Sequence, residues 1–169
     1  MHLTLNNNKI WTATDGSQGM RSQANGLAKE FNKEFFEIKT DLIFPWSKLQ
    51  PGFIPPFKWI FKNKIPNQHI PKILITCGRK SIYLSIFLKN KFKNMINIHI
   101  QNPKCSLKKF NFIIIPNHDN VTASNVITST GAIHQFDLKN LSITNNFNIP
   151  CTNLVSCIIG GENQHYKFG

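Results

Sequence analysis

Between Asp41 and Asp119 the chain carries no acidic residue, while thirteen basic residues fall in the same 77 positions. The flanks are close to neutral: residues 1–41 hold five basic and five acidic side chains, and residues 119–169 hold two and three. The formal net charge of +12 therefore comes from one block, which calls for an anionic partner or surface. Arginine is scarce as well, since only Arg21 and Arg79 accompany eighteen lysines. Abundant Lys, Asn, Ile and Phe fit an AT-rich coding sequence, which accounts for the lysines but not for the missing acids. With so little Arg and no nucleic-acid-binding module, nucleic acid is not the expected partner.

Long apolar runs are absent too. No stretch approaches the roughly 20 residues that span a bilayer. Met1–Leu5, followed by three Asn, lacks the charged start and apolar segment of a secretory signal, so a cytoplasmic protein is expected. The four cysteines form no CxxC pair, and Cys151 and Cys157 have no His at zinc-ligand spacing. Neither a metal site, nor a bound cofactor, nor a disulfide framework is expected, and the cysteines read as small buried hydrophobes.

What is present is a chain of 169 residues, 41% hydrophobic, the size and composition of one globular domain. Lys9–Thr14 reads as a β-branched strand, Asp15–Gly19 as a turn, Met20–Phe31 as a helix with Met20, Ala24, Leu27, Ala28 and Phe31 on one face, and Phe35–Lys39 as a second strand. That order opens a Rossmann-like α/β domain with a mainly parallel sheet. Residues 43–71 hold six prolines among Trp and Phe, which limits them to short helices around Trp46–Leu49 and Phe57–Lys62. Strands at Lys72–Thr76, Met95–Ile100, Phe110–Ile115 and Asn125–Ser129 follow, with a helix over Ser81–Phe92. Asp137–Pro150 reads as a short helix and linker, and Leu154–Ile159 as a last strand running into Gly160-Gly161. The expectation is one domain over residues 1–150, with residues 151–169 starting a second and the chain stopping soon after.

In such a sheet five turns share the carboxyl edge: Asp15–Gly19, Cys77–Ser81, Gln101–Pro103, Pro116–Asp119 and Thr130–His134. Gly16 and Gly19 would let backbone approach an anion, with Asp15 as a candidate base; the alternative is a capping turn in which Asp15 satisfies amides. Gly78, Arg79 and Ser81 suit phosphate, against the plainer reading of a solvated basic turn. His118 beside Asp119, and His134 after Gly131, offer acid–base groups that titrate near neutral pH, or polar surface. Gly160 and Gly161 would cradle a diphosphate or make an ordinary tight turn. Phe53–Lys64 joins aromatic bulk to lysines, so Phe57, Lys58, Trp59 and Lys62 are candidates for a membrane surface, unless the aromatics belong to the core.

The motifs Thr14–Gln23, Gly78–Ser81, Ile100–Pro103, Ile115–Asp119, Asn125–Ile127 with Thr130–His134, and Ile159–Tyr166 occur in this order from about Ile10 to the end. Together they resemble the mitochondrial-fission, or elongated mitochondria, family, whose bacterial members are classed with glycosyltransferases. The resemblance implies a GT-B plan of two Rossmann-like domains, distantly similar to the enzyme that completes the lipid-linked peptidoglycan precursor. It implies transfer of a sugar from a nucleoside-diphosphate sugar to a lipid-linked or polysaccharide acceptor at an anionic membrane surface. A non-catalytic, partner-recruiting role at a membrane is the alternative. On this resemblance Gly16 and Gly19 belong to an acceptor-side glycine loop, with Gln23, which ends the same motif, a candidate ligand-binding residue, and Gly160 and Gly161 belong to the donor domain. Met20 stands where the peptidoglycan enzyme has a His, which leaves Asp15 and His118 as candidate bases. As the chain carries little of a donor domain, it is expected to be partial or inactive alone.

Overall fold

The computed structural model describes residues 10–31, 34–66, 70–135, 155 and 157. The chain divides into two compact units, Met1–Asp137 and Leu138–Gly169. All regular elements among the described residues lie in the first. They are β1 (Ile10–Thr14), α1 (Gln18–Phe31), β2 (Phe36–Lys39), β3 (Ile73–Cys77), α2 (Arg79–Lys91), β4 (Ile96–Ile100), β5 (Phe112–Pro116) and β6 (Val126–Ser129).

The six strands form one sheet in the order β2-β1-β3-β4-β5-β6, with every pairing parallel. This is the α/β, Rossmann-like sheet that the alternation of strand and helix patterns implies. Each strand alternates its side chains between two faces. On one face Ile10, Ile75, Cys77, Ile98 and Ile100 meet Ala24 and Ala28 of α1. On the other, Trp11, Ala13, Ile38 and Leu74 meet Leu84 and Leu88 of α2. Both faces are covered, so β1 is buried along its whole length, as parallel strands require.

Two buried polar groups tie the centre of the α2 face. Asn97 donates to Ser85 Oγ and to the carbonyl of Lys109, both at 3.0 Å, and exchanges backbone–side-chain bonds with Asn111. His99, 1% exposed, places Nδ1 2.9 Å from Thr76 Oγ1, whose hydroxyl donates to the carbonyl of Ile98. Burial drives the His99 pKa down to about 3, so the ring is neutral.

The proline-rich segment forms an irregular strap over α2. Leu42 bridges antiparallel to Phe61, and Leu42, Ile60 and Tyr83 make a small buried cluster. The helices expected around Trp46–Leu49 and Phe57–Lys62 are a turn and a single 3-10 turn, Lys58–Ile60. The prolines remove the amide donors that a longer helix needs. α2 starts at Arg79, ahead of the expected Ser81, because Gly78 at φ +90° turns the chain sharply out of β3. The linker, the domain boundary at residue 150 and most of the strand at 154–159 lie outside the described residues. Val155 and Cys157, which are described, are exposed and in neither helix nor strand. Cys157 is exposed and so is not a buried hydrophobe, Cys105 is half-buried, and Cys77 is buried as expected.

Candidate functional site

Since all six strands run one way, their carboxyl ends share an edge, and the five loops singled out above leave from it. The chain winds from β1 to β2 in one direction and from β3 onward in the other, so the switch point lies between β1 and β3. Ligands of open α/β sheets bind in the crevice at such a point. Here the Gly16 loop and the Gly78 loop flank it.

Each loop is built by local chemistry. Thr14 Oγ1 accepts the amide of Gly16 at 3.1 Å, and Asp15 Oδ1 accepts that of Ser17 at 2.9 Å. The carbonyl of Ser17 then takes the amide of Arg21, and α1 begins. Gly16 sits at φ +94°, and a Cβ there would lie 3.0 Å from Lys39 Cε. Lys39, at the end of β2, is thus a cation laid across the glycine loop, a neighbour that nothing in the local sequence indicates. A Cβ on Gly19 would meet nothing within 4 Å. That open space lies at the first turn of α1, with half-buried Gln23 one turn further on.

Met20, in the first turn of α1, lies between these loops. Its sulfur is 3.3 Å from Cys77 Sγ and 3.3 Å from Gln101 Nε2, and Gly78 packs against it. Burial, and then the charge of Asp15, push the Cys77 thiol up to about 12, so it is no nucleophile at neutral pH. Gln101 sits at φ +85°, rare for a residue with a side chain, and its amide donates to the carbonyl of Ile114 at 2.8 Å. Such strained backbone gathers at functional edges. It was legible only as one residue of the turn Gln101–Pro103.

Arg79 and Ser81 are engaged within the fold. The Arg79 guanidinium donates to the carbonyls of Ser47 and Leu49 in the strap. Ser81, fully buried, donates its hydroxyl to the carbonyls of Cys77 and Gly78. What the Gly78 loop offers the crevice is therefore its backbone. His118 stands at the end of β5, its side chain 80% exposed, 3.6 Å from Asp119. Gly131 is exposed beyond β6. The segment after it returns to α1: Ile133 joins the apolar cluster there, and the Gln135 amide donates to Ser22 Oγ at 3.3 Å. The backbone of exposed His134 passes over Gly26. Gly160 and Gly161 lie outside the described residues.

On the strap, Phe57 and Trp59 are 47% and 60% exposed and stack at 6.0 Å, and Trp59 meets Trp46 edge-on at 4.8 Å. Lys58 is exposed, and Lys62 reaches Asp41 at 3.4 Å. Ile60 and Phe61 turn inward. The aromatics of this stretch thus divide between core and surface. Among the described residues no helix is long and apolar enough to cross a membrane, and no cluster of three metal-binding side chains occurs.

Residues 18–169 match the family described as Mitochondrial fission ELM1. The chain is 31% identical over 115 residues to Uncharacterized protein RP120 of Rickettsia prowazekii (strain Madrid E), covering 65% of this chain and 32% of that protein. It spans about a third of the length of this curated relative. No solved structure matches it significantly.

Proposed function

The chain belongs to the Mitochondrial fission ELM1 family, and from that premise we propose that it forms the acceptor side of a GT-B-type glycosyltransferase-like protein. The full protein would move a sugar from a nucleoside-diphosphate sugar to a lipid-linked or polysaccharide acceptor at an anionic membrane surface. The observation that carries this reading is the switch point, where two positive-φ glycines, Gly16 and Gly78, flank the crevice beside open space at Gly19. Bare backbone there admits a bulky, anionic headgroup, and Lys39 supplies charge. The donor would be held by the rest of the protein, with Gly160 and Gly161 on that side.

Sugar transfer needs a base for the acceptor hydroxyl and positive dipoles for the leaving diphosphate. Asp15 lies at the switch point. His118 lies three strands along the edge, about 14 Å at the usual strand spacing. Asp15 is therefore the better-placed base for an acceptor in this crevice. Peripheral attachment through Phe57, Lys58, Trp59 and Lys62 would keep the domain beside a lipid-linked acceptor.

One observation favours a non-catalytic, partner-recruiting role instead: the thioether of Met20, which cannot accept a proton, stands between Cys77 and Gln101 at this edge. Titrating the chain with a polyprenyl-diphosphate sugar in detergent micelles separates the two. Saturable binding that Gly19→Trp abolishes is expected, since the open space at Gly19 accepts the indole without disturbing the fold. No saturable uptake would overturn the acceptor-side reading.

A further inference from the structure

Away from the switch point, a cavity of about 450 Å³ opens between the strap, the last turns of α2 and residues 108–111. Lys93 precedes β4 and Lys108 precedes β5, so the cavity lies toward the amino edge of the sheet, opposite the glycine loops. Four lysines line it, Lys89, Lys93, Lys108 and Lys109, and no acidic residue does.

Two of the lysines are held by backbone carbonyls. Lys109 Nζ donates to the carbonyl of Gly52 at 3.2 Å, and Lys89 Nζ to the carbonyls of Lys93 and Met95. Burial, and then the charge of Lys93, hold the Lys89 pKa below its usual value. Lys93 and Lys108 are exposed, and their ammonium groups have no acceptor among the described residues. Lysines gathered around one hollow without a neighbouring acid are stabilised by an anion that neutralises several at once.

The rim is of the opposite character. Phe53 is 84% exposed and Ile54 38%, on a loop stiffened by Pro55 and Pro56. An exposed aromatic tip beside a cationic hollow suits a ligand that is charged at one end and apolar at the other. We propose that this cavity binds the phosphoryl headgroup of an anionic lipid, with Lys93 and Lys108 on the phosphate and Phe53 and Ile54 among the acyl chains. The site extends the membrane reading of the strap and is independent of sugar transfer at the switch point.

Co-sedimentation of the full chain with phosphatidylcholine vesicles, with and without phosphatidic acid, tests it. The expected result is binding only when phosphatidic acid is present, weakened at least tenfold by Lys93→Glu/Lys108→Glu and several-fold by Phe53→Ser. Lys29→Glu, on α1 at the other face, should keep it. Each variant's circular dichroism and thermal unfolding confirm that it folds. Equal weakening by Lys29→Glu, or no binding at low salt, would overturn the proposal. So would binding of glycerol phosphate or single-stranded RNA while vesicles are ignored, which would assign the cavity to a soluble phosphate ester or to nucleic acid. Uptake of the polyprenyl-diphosphate sugar at the switch point should be indifferent to Lys93→Glu/Lys108→Glu, so either site can fail without the other.

Discussion

A Cβ built on Gly26 would stand 2.6 Å from the carbonyl oxygen of His134. Real Cβ atoms do not approach so closely, and the neighbour is backbone that cannot swing aside. This contact presses the chain leaving β6 onto the middle of α1, where Gln135 also bonds Ser22. Gly26→Ala is therefore expected to destabilise the protein by up to about 2 kcal/mol, the cost of overpacking less the gain in helix propensity. Gly19→Ala, in the same helix but facing open space, should have the opposite sign, a gain of up to about 1 kcal/mol. Urea midpoints of the two variants check the pair, and two shifts of the same sign would contradict it.

The buried His99 makes stability fall in acid. Its folded pKa of about 3 lies below the ordinary 6.5, so between these values the unfolded chain binds a proton that the folded chain does not. Stability should then drop as pH falls through this window, by at most about 1.4 kcal/mol per pH unit from this one group. His99→Gln can keep a hydrogen bond toward Thr76 without a titrating ring. Denaturation series from pH 7 to pH 4 should give a shallower slope for the variant, and an unchanged slope would count against the assignment.

Asp41 acts in a lower window. The hydrogen bond from Lys80, aided by the Leu42 amide and the charges of Lys80 and Lys62, holds its carboxyl below the usual 3.8 despite partial burial. A lowered folded pKa contributes stability above the unfolded value, lost as pH falls through the folded one. Asp41→Asn should cost about 1 kcal/mol at pH 7, as expected of a partly exposed ion-paired carboxylate. The gap between variant and parent should close only below about pH 4. A gap that persists into stronger acid would mean that packing, rather than charge, sets the effect.

These contacts mark what the sequence made legible. A parallel sheet was readable because β3 and β5 are nearly continuous apolar runs set apart by helical periodicity, and a strand buried on both faces needs little else, whereas β4 alternates Ile with Asn97 and His99. The edge that carries the loops followed from the same pattern. Gly26 was not readable, because a glycine within a helical stretch looks like a weakness until its neighbour is known. The target of Arg79 was hidden too: a cation at a helix start reads as a phosphate ligand, yet its acceptors are carbonyls some thirty residues upstream in an irregular strap. No periodicity positions such a segment. Lys39 across Gly16 depends on the β1–β2 pairing and could not be seen from either strand alone.

Arg79 should therefore govern the strap. It donates to Ser47 and Leu49, and the Tyr83 hydroxyl donates to the same Leu49 carbonyl at 3.2 Å. Arg79→Ala is expected to speed amide exchange across 43–50 while leaving β3 and β4 protected. Arg79→Lys should restore only part of the protection, because an ammonium lacks the planar fork that spans two carbonyls. Uniform protection in all three proteins would show that the guanidinium does not hold the strap.

The outer aromatics of the strap give the last test. Trp59 and Phe57 are exposed and stacked on each other, whereas Trp11 is only 2% exposed. Moving Trp59 to headgroup depth should blue-shift its emission, while Trp11, already in an apolar setting, should change little. Each lysine near an anionic surface adds about 1 kcal/mol, screened by salt. Anionic vesicles should therefore shift the fluorescence at low salt and lose the effect at high salt. Phe57→Ser and Trp59→Ser should weaken vesicle binding several-fold and leave the urea midpoint nearly unchanged, because exposed rings contribute little to the folded core. A large fall in stability with vesicle binding intact would place these rings in the core of the strap instead of at the membrane.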